Sequence, residues 1–213
     1  MRLYSYFRSS AAYRVRIALA LKKLDYEYQA VHLLKDGGQQ KRPEFRKLSP
    51  DALVPVLEDG GAVLTQSLAI IEYLEETHPE PALLPSDPIG RARVRALAMT
   101  VACDIHPLNN LRVLKYLKQL GIEQEGRDQW YRHWVENGLA AFERMLADSP
   151  HTGRCCHGDQ PTLADICLIP QVYNARRLKA DLSAMPTVVR VADYCAALPA
   201  FEAAHPDRQP DAE

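Results

Sequence analysis

No stretch of this 213-residue chain comes near the ~18 consecutive apolar residues that a membrane-spanning helix needs. Nor does one sign of charge dominate: 26 Lys+Arg stand against 27 Asp+Glu, a formal net charge of −1. That balance argues against a nucleic-acid partner and against a polybasic membrane-binding surface. The first residues lack the positively charged segment and apolar run of a secretory leader. Cysteines number five, Cys103, Cys155, Cys156, Cys167 and Cys195, an odd count with no C-x-x-C and no zinc-site spacing. Free thiols in a reducing compartment are expected, with no metal, and the adjacent Cys155 and Cys156 read as a coincidence. Internal repeats and low-complexity segments are absent as well. The expectation is a soluble, cytoplasmic protein. Its 47% hydrophobic and 25% charged residues are ordinary for a globular chain long enough for one large domain or two small ones.

What is present is concentrated near the start. Leu3 to Phe7 reads as an aromatic-rich strand and Tyr13 to Lys22 as an Arg/Ala/Leu-rich helix, with Ser9 and Ser10 between them. The first N–H groups of a helix are unpaired and sit at the positive end of its dipole, an arrangement that attracts anions, a thiolate included. Arg8, Arg14 and Arg16 add positive charge, and either serine can donate a hydrogen bond to an anion held there. On these residues alone the serines serve equally as simple helix caps.

The following segments extend the pattern. Tyr26 to Val31 alternates as a strand, completing a βαβ unit with parallel strands. A long loop, Leu34 to Gln40, and a short helix, Glu44 to Leu48, follow. Val54–Glu58 and Ala62–Leu64 flank Asp59-Gly60-Gly61, a hairpin signal. A cis Val54-Pro55 bond would turn the Val54 backbone outward. Ser67 is expected to cap a helix from Leu68 to Thr77. These elements predict a thioredoxin-like α/β domain over 1–81, with helix N-termini at Ser9–Ala11 and Ser67 facing one crevice.

Proline-rich residues 79–88 read as a linker, and 88–213 as an all-helical domain. There, one helix is expected from Pro88 to about Leu120, bent at Pro107, where His106, Asn109, Asn110 and Arg112 gather. Arg91, Arg93 and Arg95 read as its exposed face. Another helix should span Glu123 to Leu146. Thr162 and Asp165 form a capping-box signature before a buried helix from Ile166 to Leu178, and Pro186 opens one more. Residues from Pro206 onward are polar and expected to fray.

At this point the residues match a known pattern. The Arg8-Ser9-Ser10 turn, Val54-Pro55, Gln66-Ser67 and the Thr162-Leu163-Ala164-Asp165 box in this order resemble the cytosolic glutathione transferases. Ser9-Ser10-x-x-Tyr13-Arg14-Val15-Arg16, Lys35-Asp36-Gly37-Gly38-Gln39-Gln40, Pro170-Gln171-Val172 and Arg208-Gln209-Pro210-Asp211 resemble the zeta class in particular. That class includes maleylacetoacetate and maleylpyruvate isomerases. The resemblance runs from about Leu3 to Asp211 and implies glutathione as cofactor, a small dicarboxylate keto-acid substrate and a homodimer. It implies that Ser9 hydrogen-bonds the glutathione sulfur. Ser10, Ala11, Arg14, Gln40, Val54, Pro55, Gln66, Ser67, His106, Asn110, Leu111 and Arg112 would complete the cofactor site. Arg8, Arg112, Arg176 and Arg177 would hold substrate carboxylates, with Arg8 and Arg177 foremost.

One departure stands out. The class usually carries cysteine where this chain has Ala11, and an aromatic Trp where it has Tyr13. A protein thiol is therefore not available in the turn for mixed-disulfide chemistry. Isomerisation of maleylacetoacetate to fumarylacetoacetate needs only the cofactor's thiolate, which adds to the cis double bond and leaves after rotation. The alternatives are a maleylpyruvate isomerase, a transferase or dehalogenase acting on small α-haloacids, and a non-catalytic binding module.

Overall fold

The computed structural model describes all of residues 1–213. Its contacts divide the chain into two units, Met1–Ala82 with Ala197–Glu213, and Leu83–Ala196. In the first, β1 (Arg2–Ser5), α1 (Ser10–Leu21), β2 (Glu27–Ala30), α2 (Pro43–Leu48), β3 (Val56–Asp59), β4 (Ala62–Thr65) and α3 (Ser67–Thr77) follow in order. The strands form one sheet ordered β2-β1-β3-β4, with β1 parallel to β2 and the other pairs antiparallel. Gly60 (φ +53°) and Gly61 (φ +86°) both take left-handed backbone, as the tight turn between β3 and β4 requires. Leu3, Val15, Ile17, Leu19, Val56, Leu57, Ile70 and Leu74 are fully buried. At about 1.5–3 kcal/mol for each such side chain, this packing sets the sheet against α1 and α3 firmly enough to place a site. Lys22 Nζ ties the end of α1 to that of α3 by donating to Glu75 Oε2 (2.8 Å) and the His78 carbonyl (2.7 Å).

The second unit holds α4 (Pro88–Met99), α5 (Leu111–Gln119), α6 (Gln124–Ala147), α7 (Leu163–Arg177) and α8 (Pro186–Ala196). The single bent helix expected from Pro88 to Leu120 is instead interrupted. After α4 the chain widens into a π-helical turn, Thr100–Ile105, and then tightens into a 3₁₀ turn, His106–Asn109. Pro107 has no N–H to return to the preceding turn, so the α-helical ladder cannot pass through it. Asn110 restarts the helix as the N-cap of α5, its Oδ1 accepting from Arg112 N–H at 3.1 Å. The interruption is anchored to α6, where Trp130 Nε1 donates to the Leu108 carbonyl at 2.8 Å.

The Thr162–Asp165 capping box is present at the start of α7. Asp165 Oδ2 accepts from the Thr162 N–H and hydroxyl at 2.8 Å each, and Oδ1 accepts from Cys156 N–H at 2.8 Å. The arginines of α4 are half-buried rather than an exposed face. Arg93 donates to the Cys156 carbonyl (2.7 Å) and Thr152 Oγ1 (2.9 Å), so it staples the loop that leads to the box.

The segment from Ala197 corrects another expectation. The sequence pattern groups it with the helical domain and predicts a frayed end; in the structure α9 (Pro199–Ala204) packs on α1, and the following residues continue along the first unit. A 3₁₀ turn, Pro206–Arg208, is held by Gln209 Nε2, which donates to the Ala203 and His205 carbonyls at 3.0 and 2.8 Å.

Candidate active site

Strand register decides where the first unit gathers its polar groups. Tyr4 pairs with Val56, and Val56 with Thr65, so Tyr6 and the turn after it, Val54-Pro55, and Gln66-Ser67 all leave the sheet at one end. Ser5 pairs with Ala30 in the parallel register, and Val31 N–H bonds the Ser5 carbonyl at 2.8 Å, so the loop toward Gln40 departs from that end as well. Four separate stretches thus deliver their candidate residues to the same rim.

At its centre is a turn closed by Ser9 N–H on the Tyr6 carbonyl (2.9 Å). Ser9 is the N-cap of α1, its Oγ accepting from Ala12 N–H at 3.2 Å. A hydroxyl that accepts through its lone pair retains its own O–H to donate, so capping and anion recognition are compatible at one atom. Ser10 is buried and Ala11 half-buried in the first turn of the helix. Arg8 lies over the Phe7 ring (4.8 Å to the centroid) and donates from Nη2 to the Tyr6 hydroxyl at 3.1 Å. The Arg8 guanidinium is therefore held in place by the Phe7 ring and the Tyr6 hydroxyl.

The Val54-Pro55 bond is cis and both residues are buried. Ser67 differs from expectation: the N-cap of α3 is Gln66, at φ +67°, and its side chain makes no capping bond. Ser67 occupies the first helical position, with its Oγ accepting from Arg14 Nη1 at 3.3 Å, which joins the second turn of α1 to the first turn of α3. A non-glycine residue held at positive φ costs about 1–3 kcal/mol, and such strain concentrates at ligand sites. Gln40, 7% exposed, donates from Nε2 to the Leu33 carbonyl at 3.5 Å, while its Oε1 is buried with no partner. Gly38 makes this possible, since a Cβ there would stand 2.8 Å from Gln40 Oε1 at a backbone φ of +106°.

In the second unit, His106 and Leu111 are half-buried at the interruption after α4, Asn110 caps α5, and Arg112 is exposed. Arg176 is committed to Asp193 (2.7 Å) on an exposed helix end. Arg177 is also exposed, and its positive field opposes the burial that pushes the Tyr131 hydroxyl up to about 12. Two residues escaped the sequence reading. Arg16, read as site charge, is fully buried beneath the turn, donating to Phe7 O (2.9 Å), Tyr6 O (3.4 Å), Ser5 Oγ (3.1 Å) and Ala204 O (3.1 Å). Its place between Val15 and Ile17 in an apolar run was the available signal. Asp211, in the segment expected to fray, accepts from Phe7 N–H at 3.1 Å.

Comparison with known proteins agrees with this geometry. The N-terminal domain of glutathione S-transferases matches residues 3–82, and the C-terminal domain matches 124–206. A maleylacetoacetate isomerase of Pseudomonas aeruginosa is 53% identical over 212 residues, covering 99% of this chain and 98% of the relative. The holo structure of a bacterial zeta-class maleyl pyruvate isomerase superposes with a TM-score of 0.97 at 49% identity, covering 100% of both chains. A maleylacetoacetate isomerase of Methylobacterium extorquens AM1, solved with malonate and glutathione bound, gives 0.96 at 43% identity, again over 100% of both. With both domains matched and such identity over its full length, the chain belongs to the glutathione S-transferase family, in the zeta class.

Proposed function

We propose that this protein is a glutathione-dependent cis–trans isomerase that converts maleylacetoacetate to fumarylacetoacetate. The observation that carries the reading is the convergence at one sheet end of Ser9, the cis Val54-Pro55 bond, Gln66-Ser67 and the Gln40 loop. The donor set fits glutathione. The unpartnered Gln40 Oε1 is an acceptor for a donor on the tripeptide, and the first turn of α3 suits its γ-glutamyl carboxylate. The Val54 backbone, turned out by the cis bond, would pair with the cysteinyl part. Bound glutathione supplies a thiolate that adds reversibly to the substrate's cis double bond and departs after rotation, so the thiol is not consumed.

The chain's own residues make that chemistry accessible. An ordinary thiol, with a pKa of about 8.5, is only a few per cent ionised at neutral pH. The Ser9 hydroxyl and the N-terminus of α1 favour the anion, and each unit of lowering is worth about 1.4 kcal/mol. Arg8, fixed on the Tyr6 and Phe7 rings, offers a planar guanidinium to a carboxylate. For Arg112, Arg177, His106, Asn110 and Leu111 of the second unit, the support is the resemblance to the zeta class, which assigns the two arginines to substrate carboxylates and the others to glutathione. Arg176 is the weaker candidate because Asp193 already engages it. Nothing in this scheme requires a cysteine at position 11. The working form is a cytoplasmic homodimer, by kinship with the class; no helix is long and apolar enough to cross a membrane.

The high likeness to a maleyl pyruvate isomerase favours maleylpyruvate as the second substrate to test. The test compares kcat/KM for both maleyl acids and for an α-haloacid, with free thiol titrated throughout. Isomerisation of maleylacetoacetate at constant thiol, with the highest kcat/KM, is the expected result. Loss of thiol with the haloacid and no isomerisation of either acid would replace the reading by a transferase.

A further inference from the structure

The turn that presents Ser9 is gripped from two sides by groups outside the candidate site. In a four-residue turn the N–H of the second residue has no partner within the turn. Here that residue is Phe7, and its N–H is taken by Asp211 Oδ2 at 3.1 Å, 204 positions away in sequence. The guanidinium of Arg16 takes the carbonyls of Tyr6 and Phe7. The carboxylate is itself fixed: the Tyr28 hydroxyl, on β2, donates to Oδ1 at 2.5 Å. Burial and this bond raise the Tyr28 pKa, so the phenol remains a donor across the neutral range. The segment bearing Asp211 is shaped by Gln209 on the Ala203 and His205 carbonyls, and by Arg16 on the Ala204 carbonyl. Anion and cation therefore clamp the two faces of one turn; burial lowers the Arg16 pKa, and the Asp211 charge is one of several that oppose this.

We propose that Asp211 is a positioning residue of the thiolate site, fixing the Phe7 peptide so that the turn aims the Ser9 hydroxyl and the first N–H groups of α1 at the sulfur of glutathione. This rests on the glutathione reading above. Its consequence is specific, because a tilt of the turn weakens recognition of the sulfur anion more than recognition of the rest of the tripeptide.

The experiment measures affinities for glutathione and S-methylglutathione, and the pKa of the bound glutathione thiol from thiolate absorbance against pH. Asp211→Ala orphans the Phe7 N–H; the bound thiol pKa is expected to rise by about one unit, about tenfold less thiolate at a given pH below it. Affinity for glutathione should fall severalfold further than affinity for S-methylglutathione, and kcat should fall more than KM rises. Asp211→Asn leaves one oxygen for the Phe7 N–H while its NH₂ faces a Tyr28 hydroxyl free to turn, and is expected to recover most of the loss. Tyr28→Phe releases the carboxylate without removing it, and is expected to shift the pKa by a fraction of a unit in the same direction; it carries the test should the alanine variant fail to fold. An unchanged thiol pKa in the folded variants, or equal loss of both ligands, overturns the assignment. Wild-type protein that binds neither ligand refutes the glutathione reading itself and this assignment with it.

Discussion

Replacing Ser9 by alanine removes two interactions centred on one atom. The first is the cap: Oγ accepts from Ala12 N–H at 3.2 Å, and losing an N-cap serine costs about 1 kcal/mol. In a protein of this size that lowers Tm by roughly 2–4 °C. The second, on the proposed reading, is a hydrogen bond to the glutathione thiolate, about 1.5–3 kcal/mol for a charged acceptor. At 1.36 kcal/mol per unit this raises the bound thiol pKa by about 1–2 units. At neutral pH kcat/KM should therefore fall about 10- to 150-fold. The assay is kcat/KM against pH, with thermal unfolding run in parallel. A thiol whose pKa is raised ionises later, so the acidic limb of the profile moves to higher pH and activity recovers in alkali. Ser9→Thr keeps a hydroxyl and should lie close to wild type. A lower Tm with an unmoved acidic limb would refute the reasoning and leave Ser9 as a cap alone.

Other expectations concern the framework. Arg16→Met leaves the carbonyls of Phe7 and Ala204 without their donor, while the Tyr6 carbonyl keeps the Ser9 N–H. At about 1–3 kcal/mol for each buried orphan, the loss should reach at least about 2 kcal/mol in urea unfolding, and a change below about 1 kcal/mol would contradict the staple. Thr162→Ala removes one half of the α7 capping box while the Asp165 bond to Cys156 N–H survives. It should cost about 1 kcal/mol, seen as a lower Tm, with kcat unchanged. Of the five free cysteines only Cys103 is exposed; burial raises the pKa of Cys156, and a hydrogen bond with Cys155, together with burial, raises that of Cys195. Native protein should therefore incorporate one alkylating label at neutral pH and five after denaturation, as counted by mass spectrometry.

Much of the site could be read from local chemistry, because its parts are local. The Gly60-Gly61 hairpin and the Thr162–Asp165 box each follow from residues a few positions apart and stand where the pattern places them. The turn between β1 and α1 comes earlier than the pattern says, with the strand ending at Ser5 rather than Phe7 and the helix opening at Ser10 rather than Tyr13. The interruption at 100–110 was less legible: a proline announces a break, but the pattern does not say whether the chain bends, widens or restarts. Ser67 was misread as a cap because serine before an apolar helix usually is one. The positive φ at Gln66 moves the helix start by one residue and leaves the Ser67 hydroxyl to Arg14. Arg16 and Asp211 were hidden for a different reason. An arginine near a site and a polar terminal segment look like solvated charge until the fold brings them to unpaired backbone groups far away in sequence, Ala204 for one and Phe7 for the other.

The central claim is that the protein lends its geometry to a thiolate that is returned after each turnover. The most direct measurement supplies maleylacetoacetate in large excess over glutathione, follows fumarylacetoacetate formation, and titrates free thiol at the end. The account predicts no enzymatic turnover without glutathione and, with it, many product molecules per glutathione at undiminished thiol. Product limited to one equivalent of glutathione, or formed at the same rate in its absence, would contradict it.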